Sequence, residues 1–108
     1  MNIEELQGTS SDENDLAGRH ILVAEDNELN WEIINELLTD IGMELDWTEN
    51  GQLCVEKYEK SDPEYYDAIL MDVRMPIMDG YEATRSIRAL NRPDAKSIPI
   101  IAMTADAF

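Results

Sequence analysis

Three short apolar runs in this 108-residue chain each end on a polar side chain. His20-Ile21-Leu22-Val23-Ala24 runs into Glu25 and Asp26. Ala68-Ile69-Leu70-Met71 runs into Asp72. Ile98-Pro99-Ile100-Ile101-Ala102-Met103 runs into Thr104. If the runs are neighbouring strands, the acids of the first two converge. Two carboxylates about 4 Å apart repel by roughly 4 kcal/mol at an effective dielectric near 20. A fold tolerates that with a bound cation, with a raised pKa, or with a function that draws on the strain. Mg2+ suits such a place, because it keeps several waters and binds through one or two carboxylates plus a phosphate. Asp and Asn also cap helices. Asn27 and Asn30 read readily as caps; for Asp72, behind four apolar residues and before Val73, capping explains little.

The elements that must position these residues are legible. His20–Ala24 reads as a strand buried on both faces. Ile34, Leu37, Leu38 and Ile41 then recur at helical spacing, opposite Glu28, Glu32, Glu36 and Asp40, and Gly42 is a natural stop. Residues 43–48 alternate, with Met43, Leu45 and Trp47 on the better-buried face. Asn50-Gly51 is a turn, and 51–60 reads as a helix with Cys54, Val55 and Tyr58 inward. A third strand spans 67–72, Ala83, Ile87 and Leu90 mark a third helix, and 98–103 is a fourth strand. Strands alternating with helices imply a parallel α/β sheet with its site beyond the carboxyl ends of the strands. Residues 1–18 are polar and read as a flexible linker, so the domain is expected from residue 19 to 108.

Charge narrows the function. The formal net charge is −16, and no Lys or Arg occurs between Glu25 and Glu56. Such a surface repels phosphate backbones and anionic lipid, so neither direct nucleic-acid binding nor membrane contact by this segment is expected; a basic partner surface or bound cations fit better. Cys54 is the only cysteine and reads as a small buried hydrophobe. With no signal peptide legible at the start, a cytoplasmic location is expected, although a parent chain anchored in a membrane is compatible with it.

Three segments taken together carry a resemblance: Val23-Ala24-Glu25-Asp26-Asn27 with Asn30; Leu70-Met71-Asp72-Val73-Arg74-Met75-Pro76-Ile77-Met78-Asp79-Gly80; and Ala102-Met103-Thr104-Ala105. From about Arg19 onward the chain resembles the receiver domain of two-component response regulators, most closely the receivers of hybrid sensor histidine kinases. The resemblance implies a flavodoxin-like, doubly wound parallel sheet of order 2-1-3-4-5. It implies that Asp72 accepts a phosphoryl group from the phosphohistidine of a histidine kinase or a histidine phosphotransfer domain, without turnover of its own. It implies Mg2+ held by Asp26, Asp72 and the backbone carbonyl of Arg74, with Glu25 acting mainly through water. Thr104 would donate its hydroxyl to a phosphoryl oxygen and move as the domain switches.

The family pattern has a fifth strand, ending in a lysine that pairs with the phosphoryl group, and a fifth helix. This chain stops at Phe108, and Lys96 precedes the fourth strand, so these parts are expected to be missing and the fourth strand to present an apolar edge open to homodimerisation or other association. Rival readings are weaker. A phosphatase of the haloacid-dehalogenase type needs a second Asp where Arg74 stands. A flavodoxin-like cofactor site needs a phosphate-binding loop where Glu25 and Asp26 stand. A receiver-like interaction module that is never phosphorylated is the remaining alternative.

Overall fold

The computed structural model describes residues 16–103. Strands β1 (His20–Ala24), β2 (Glu44–Thr48), β3 (Ala68–Asp72) and β4 (Ile100–Met103) form one parallel sheet in the order β2-β1-β3-β4. Helices α1 (Glu28–Ile41), α2 (Gly51–Lys60) and α3 (Gly80–Arg88) connect them, with a 3-10 turn at Pro93–Lys96 before β4. Strand order and parallel pairing are those expected of the flavodoxin-like class; a fifth strand is not among the described residues. None of the described helices is long and apolar enough to cross a membrane. The expected linker over residues 1–18 lies outside the described residues up to position 15. At its end Leu16 is buried, and the Gly18 N–H donates to the Gly42 carbonyl at 2.8 Å.

The central strands are apolar throughout because both faces are covered. Ile21, Val23, Ala68 and Leu70 pack with Ile34 and Leu38 of α1 and with Met43. Leu22, Ala24, Ile69 and Met71 pack on the opposite face with Cys54 and Tyr58 of α2 and Ala83 and Ile87 of α3. Burying one large aliphatic side chain contributes about 1.5–3 kcal/mol, so the two layers hold the sheet and its acidic edge in one geometry.

Helix α1 starts at Asn27, whose side chain accepts from the Asn30 N–H at 3.1 Å, and stops at Gly42, whose φ of 103° is left-handed. Leu37 departs from the expected inward face, being 52% exposed. The buried stripe runs through Ile34 and Leu38, with Trp31 and Ile41 at its margins. Leu37 instead falls in line with Leu29 and Ile33 on an outer row, each one turn from the next. Strand β2 also departs from simple alternation. Thr48 is buried because its hydroxyl donates to the Val23 carbonyl at 2.9 Å.

A polar cluster not foreseen from the sequence closes the far side of α2. The Arg92 guanidinium donates to the carbonyl oxygens of Tyr58 (2.7 Å), Ser61 (3.0 Å) and Asp62 (3.0 Å) around the end of the helix. It also forms a two-pronged pair with Asp94, at 2.7 and 3.0 Å, and lies 4.3 Å above the Tyr58 ring. The hydrogen bond from Arg92 holds the Asp94 carboxyl down at about 2.

Candidate functional site

Strands β1 and β3 pair with Ala24 opposite Met71, so Glu25, just past β1, and Asp72, the last residue of β3, come side by side. One carboxylate oxygen from each of Glu25, Asp26 and Asp72 lies within 4.8 Å of the other two. Three acids separated by up to 47 positions in sequence therefore meet at the carboxyl edge, as the strand pattern requires. Glu25 is only 4% exposed, Asp72 is half-buried and Asp26 faces solvent.

Backbone donors orient two of the acids. The Asn27 N–H donates to the Glu25 carboxylate at 3.1 Å, and the Arg74 N–H donates to the Asp72 carboxylate at 3.2 Å. These bonds favour the charged forms, and burial opposes them. Burial is the largest influence on Glu25; with the negative charge of Asp72 and Asp26 it pushes the carboxyl up to about 7 against the pull of the Asn27 N–H. Asp72 is also raised, chiefly by burial, with the Arg74 N–H pulling it down and Asp26 adding to the rise. None of the salt bridges among the described residues reaches these three carboxylates. The site is thus short of positive charge. A hard divalent cation with oxygen ligands matches the donor set better than a thiolate- or imidazole-seeking metal.

The loop after β3 is shaped by close approach. The Gly80 N–H donates to the Val73 carbonyl at 2.9 Å, and a Cβ on Gly80 would lie 2.3 Å from the Asp72 carbonyl oxygen. Only glycine lets α3 begin this near the end of β3. Asp79 caps α3 by accepting from the Glu82 N–H at 2.9 Å. The Met78 carbonyl takes the Gly51 N–H at 3.2 Å, bracing the loop on the start of α2. Between this loop and Asp26 an open cleft is lined by Arg74, Met75, Asp79 and Tyr81 among others.

The sequence-predicted residues fall as follows. Glu25, Asp26 and Asp72 come together; Arg74 meets Asp72 through its backbone N–H, whereas the expected role was for its carbonyl. Thr104 lies outside the described residues; β4 is described to Met103, which pairs with Asp72. Reading by pattern missed the part played by the end of β2. The Thr48 carbonyl accepts from the Glu25 N–H at 3.0 Å, and the Trp47 indole N–H donates to the Glu25 carbonyl at 2.8 Å. The alternation of β2 marks Trp47 as half-buried, but carries no signal for that bond.

The model of the response regulator receiver domain family matches residues 21–107. Peroxide stress-activated histidine kinase mak1 of Schizosaccharomyces pombe is 40% identical over 93 residues, which cover 85% of this chain and 6% of that protein. Hybrid signal transduction histidine kinase I of Dictyostelium discoideum is 39% identical over 115 residues, covering 100% of this chain and 7% of that protein. The chain thus spans less than a tenth of the length of these two relatives. Among solved structures, the receiver domain of a sensor histidine kinase from Pseudomonas aeruginosa, with a magnesium ion coordinated in its active-site cleft, superposes with a TM-score of 0.75 at 42% identity, over 85% of this chain and 71% of that one.

Proposed function

Because the chain belongs to the response regulator receiver domain family, we propose that it is the phosphoacceptor of a phosphorelay within a longer hybrid histidine kinase, with Asp72 taking the phosphoryl group. The observation that carries this reading is the convergence of Glu25, Asp26 and Asp72 at the carboxyl edge of the sheet, with no cationic side chain among the described residues paired to them.

An oxygen of Asp72 attacks the phosphorus of a phosphohistidine. The new O–P bond forms as the N–P bond breaks, and the imidazole leaves with the bonding pair and takes up a proton. Asp26 and Asp72, with the Arg74 carbonyl, would hold Mg2+, and Glu25 would act through a bound water. When bound, the ion supplies positive charge to the nucleophile and to the transferred group, which is most of what phosphoryl transfer needs. The Arg74 N–H holds one oxygen of the Asp72 carboxylate by a hydrogen bond. The Thr104 hydroxyl is proposed to meet a phosphoryl oxygen afterwards. Asp72 then carries roughly −1.5 to −2 charge in place of −1, which biases the adjoining loop.

The phosphodonor is proposed to be a histidine kinase or a histidine phosphotransfer domain. Leu29, Ile33 and Leu37 form an exposed apolar row along α1, starting beside the acids, and a partner helix could lie along it. The acidic flank of α1 favours a partner with basic residues around its apolar contact.

Labelling with a small phosphodonor such as acetyl phosphate, with Mg2+, tests the reading. The wild type should gain an acid-stable, base-labile phosphate that Asp72→Asn cannot take and that Asp26→Asn takes far more slowly. Persistent labelling of Asp72→Asn would move the acceptor elsewhere.

A further inference from the structure

Glu25 and Asp26 sit on a loop of three residues between β1 and α1. Among the described residues, the backbone of Glu25 is held by the end of β2. Its N–H donates to the Thr48 carbonyl at 3.0 Å, a bond that any residue at position 48 would supply. Its carbonyl takes the Trp47 indole N–H at 2.8 Å, a bond that depends on the side chain. That carbonyl belongs to the peptide plane joining Glu25 to Asp26. Rotating the plane would turn the Asp26 N–H and shift the point from which the Asp26 side chain departs. The indole is itself held: its ring stacks on Trp31 at 5.2 Å between centroids and 6° between planes. Trp31 in turn donates its backbone N–H to the Asn27 carbonyl at 3.0 Å, at the start of α1. The contacts close a ring from β2 through Glu25, Asn27 and Trp31 back to β2. The two tryptophans of the chain are both in it.

We propose that Trp47 is a positioning residue for the acid cluster: its indole N–H fixes the Glu25–Asp26 peptide, and its stack on Trp31 fixes the indole, so that Asp26 meets Asp72. The inference rests on the cluster being a cation site, and it adds a residue that acts on the acids through the backbone without touching the ion. A mere packing role for the stack would require the ring but not its N–H.

Trp47→Phe separates the two, since it keeps an aromatic ring and removes the donor. Mg2+ is the probe, titrated into the full chain and followed by amide NMR; amide exchange at Asn27, without metal, is the second readout. Trp47→Phe should weaken Mg2+ binding and speed Asn27 exchange, each by about 3–10-fold, the loss of one hydrogen bond, while the melt stays cooperative. Trp31→Leu, which leaves the donor but frees the indole to tilt, should give a smaller change in the same direction. Ile34→Val, which loosens the core under α1 by a comparable amount, should leave both readouts within about twofold. Unchanged Asn27 exchange in Trp47→Phe, or equal effects from Ile34→Val, would overturn the proposal. A wild type that binds no Mg2+ counts against the phosphoacceptor reading, and the metal-free exchange still decides the role of Trp47.

Discussion

Glu25 and Asp72 hold carboxylate oxygens within 4.8 Å of each other, and each is turned to a backbone N–H of its own loop, Asn27 for Glu25 and Arg74 for Asp72. Two N–H groups offset only part of the repulsion and burial, so Glu25 keeps its proton up to about 7. In the unfolded chain it loses that proton near its ordinary value of 4.5. Between those two points the folded state binds more protons, so stability must fall as pH rises. The contribution of Glu25 is fully present below its unfolded pKa and is lost as pH passes through the folded one. Urea midpoints of the metal-free chain should therefore decline over this interval, and Glu25→Gln should flatten the decline. Mg2+ should restore stability mainly at the alkaline end, where the acids are ionised. A decline identical in Glu25→Gln would remove Glu25 as its source.

Arg92 and Asp94 make a second prediction, about stability alone. Removing one partner from a buried pair leaves the other charge unmatched and costs about 3–5 kcal/mol. Arg92→Ala also removes a donor from each of three carbonyl oxygens around the end of α2. Its unfolding free energy should drop by about 3 kcal/mol or more, a large share of the ~5–15 kcal/mol typical of a domain. Arg92→Lys restores the charge but not the planar fork, and should recover less than half of the loss. Urea denaturation measures both; a loss under about 1 kcal/mol in Arg92→Ala would show the cluster to be solvated and dispensable.

This cluster also shows where sequence reading stops. Strands, helices and the acidic edge were legible because each is written locally: an apolar run, a 3.6-residue period, an acid at the end of a run. The convergence of Glu25, Asp26 and Asp72 followed from strand adjacency alone. Arg92 acts on residues 30 to 34 positions away, and nothing in Asn91-Arg92-Pro93-Asp94 announces Tyr58 or Ser61. Trp47 is similar, since a half-buried apolar position gives no hint that its N–H reaches a loop 22 residues earlier. Leu37 failed for a different reason. A helical period allows a broad apolar face, and only the width of the covering sheet decides which edge of it stays wet.

Gly80 is predicted to tolerate no side chain. A Cβ there meets the Asp72 carbonyl oxygen at 2.3 Å and the Val73 Cα at 2.9 Å, both backbone atoms that no rotamer change can move. Gly80→Ala must push α3 away from the end of β3, at a cost of about 1–3 kcal/mol. Because the displaced atoms belong to Asp72 and Val73, Mg2+ affinity should fall along with stability. Retention of wild-type affinity by a folded Gly80→Ala chain would mean that the acid cluster is insulated from the start of α3.

Ile77 sits in the same loop with a φ of 71°, in the left-handed region that β-branched residues seldom adopt. Such a residue stores about 1–3 kcal/mol of backbone strain. Burial gives no return for it, because the side chain is 79% exposed. Asn tolerates this conformation far better, since its short side chain can bond locally. Ile77→Asn should therefore raise the unfolding free energy by ~1 kcal/mol. Ile77→Gly should gain less, because glycine also gives the unfolded chain more freedom to lose. Ile77→Val keeps the branch at Cβ and should change nothing. Equilibrium urea unfolding of the three variants orders them as Asn, then Gly, then Val. If Asn is no more stable than Val, the strain at position 77 is relieved in solution, and the loop that carries Arg74 away from Asp72 is softer than its backbone geometry implies.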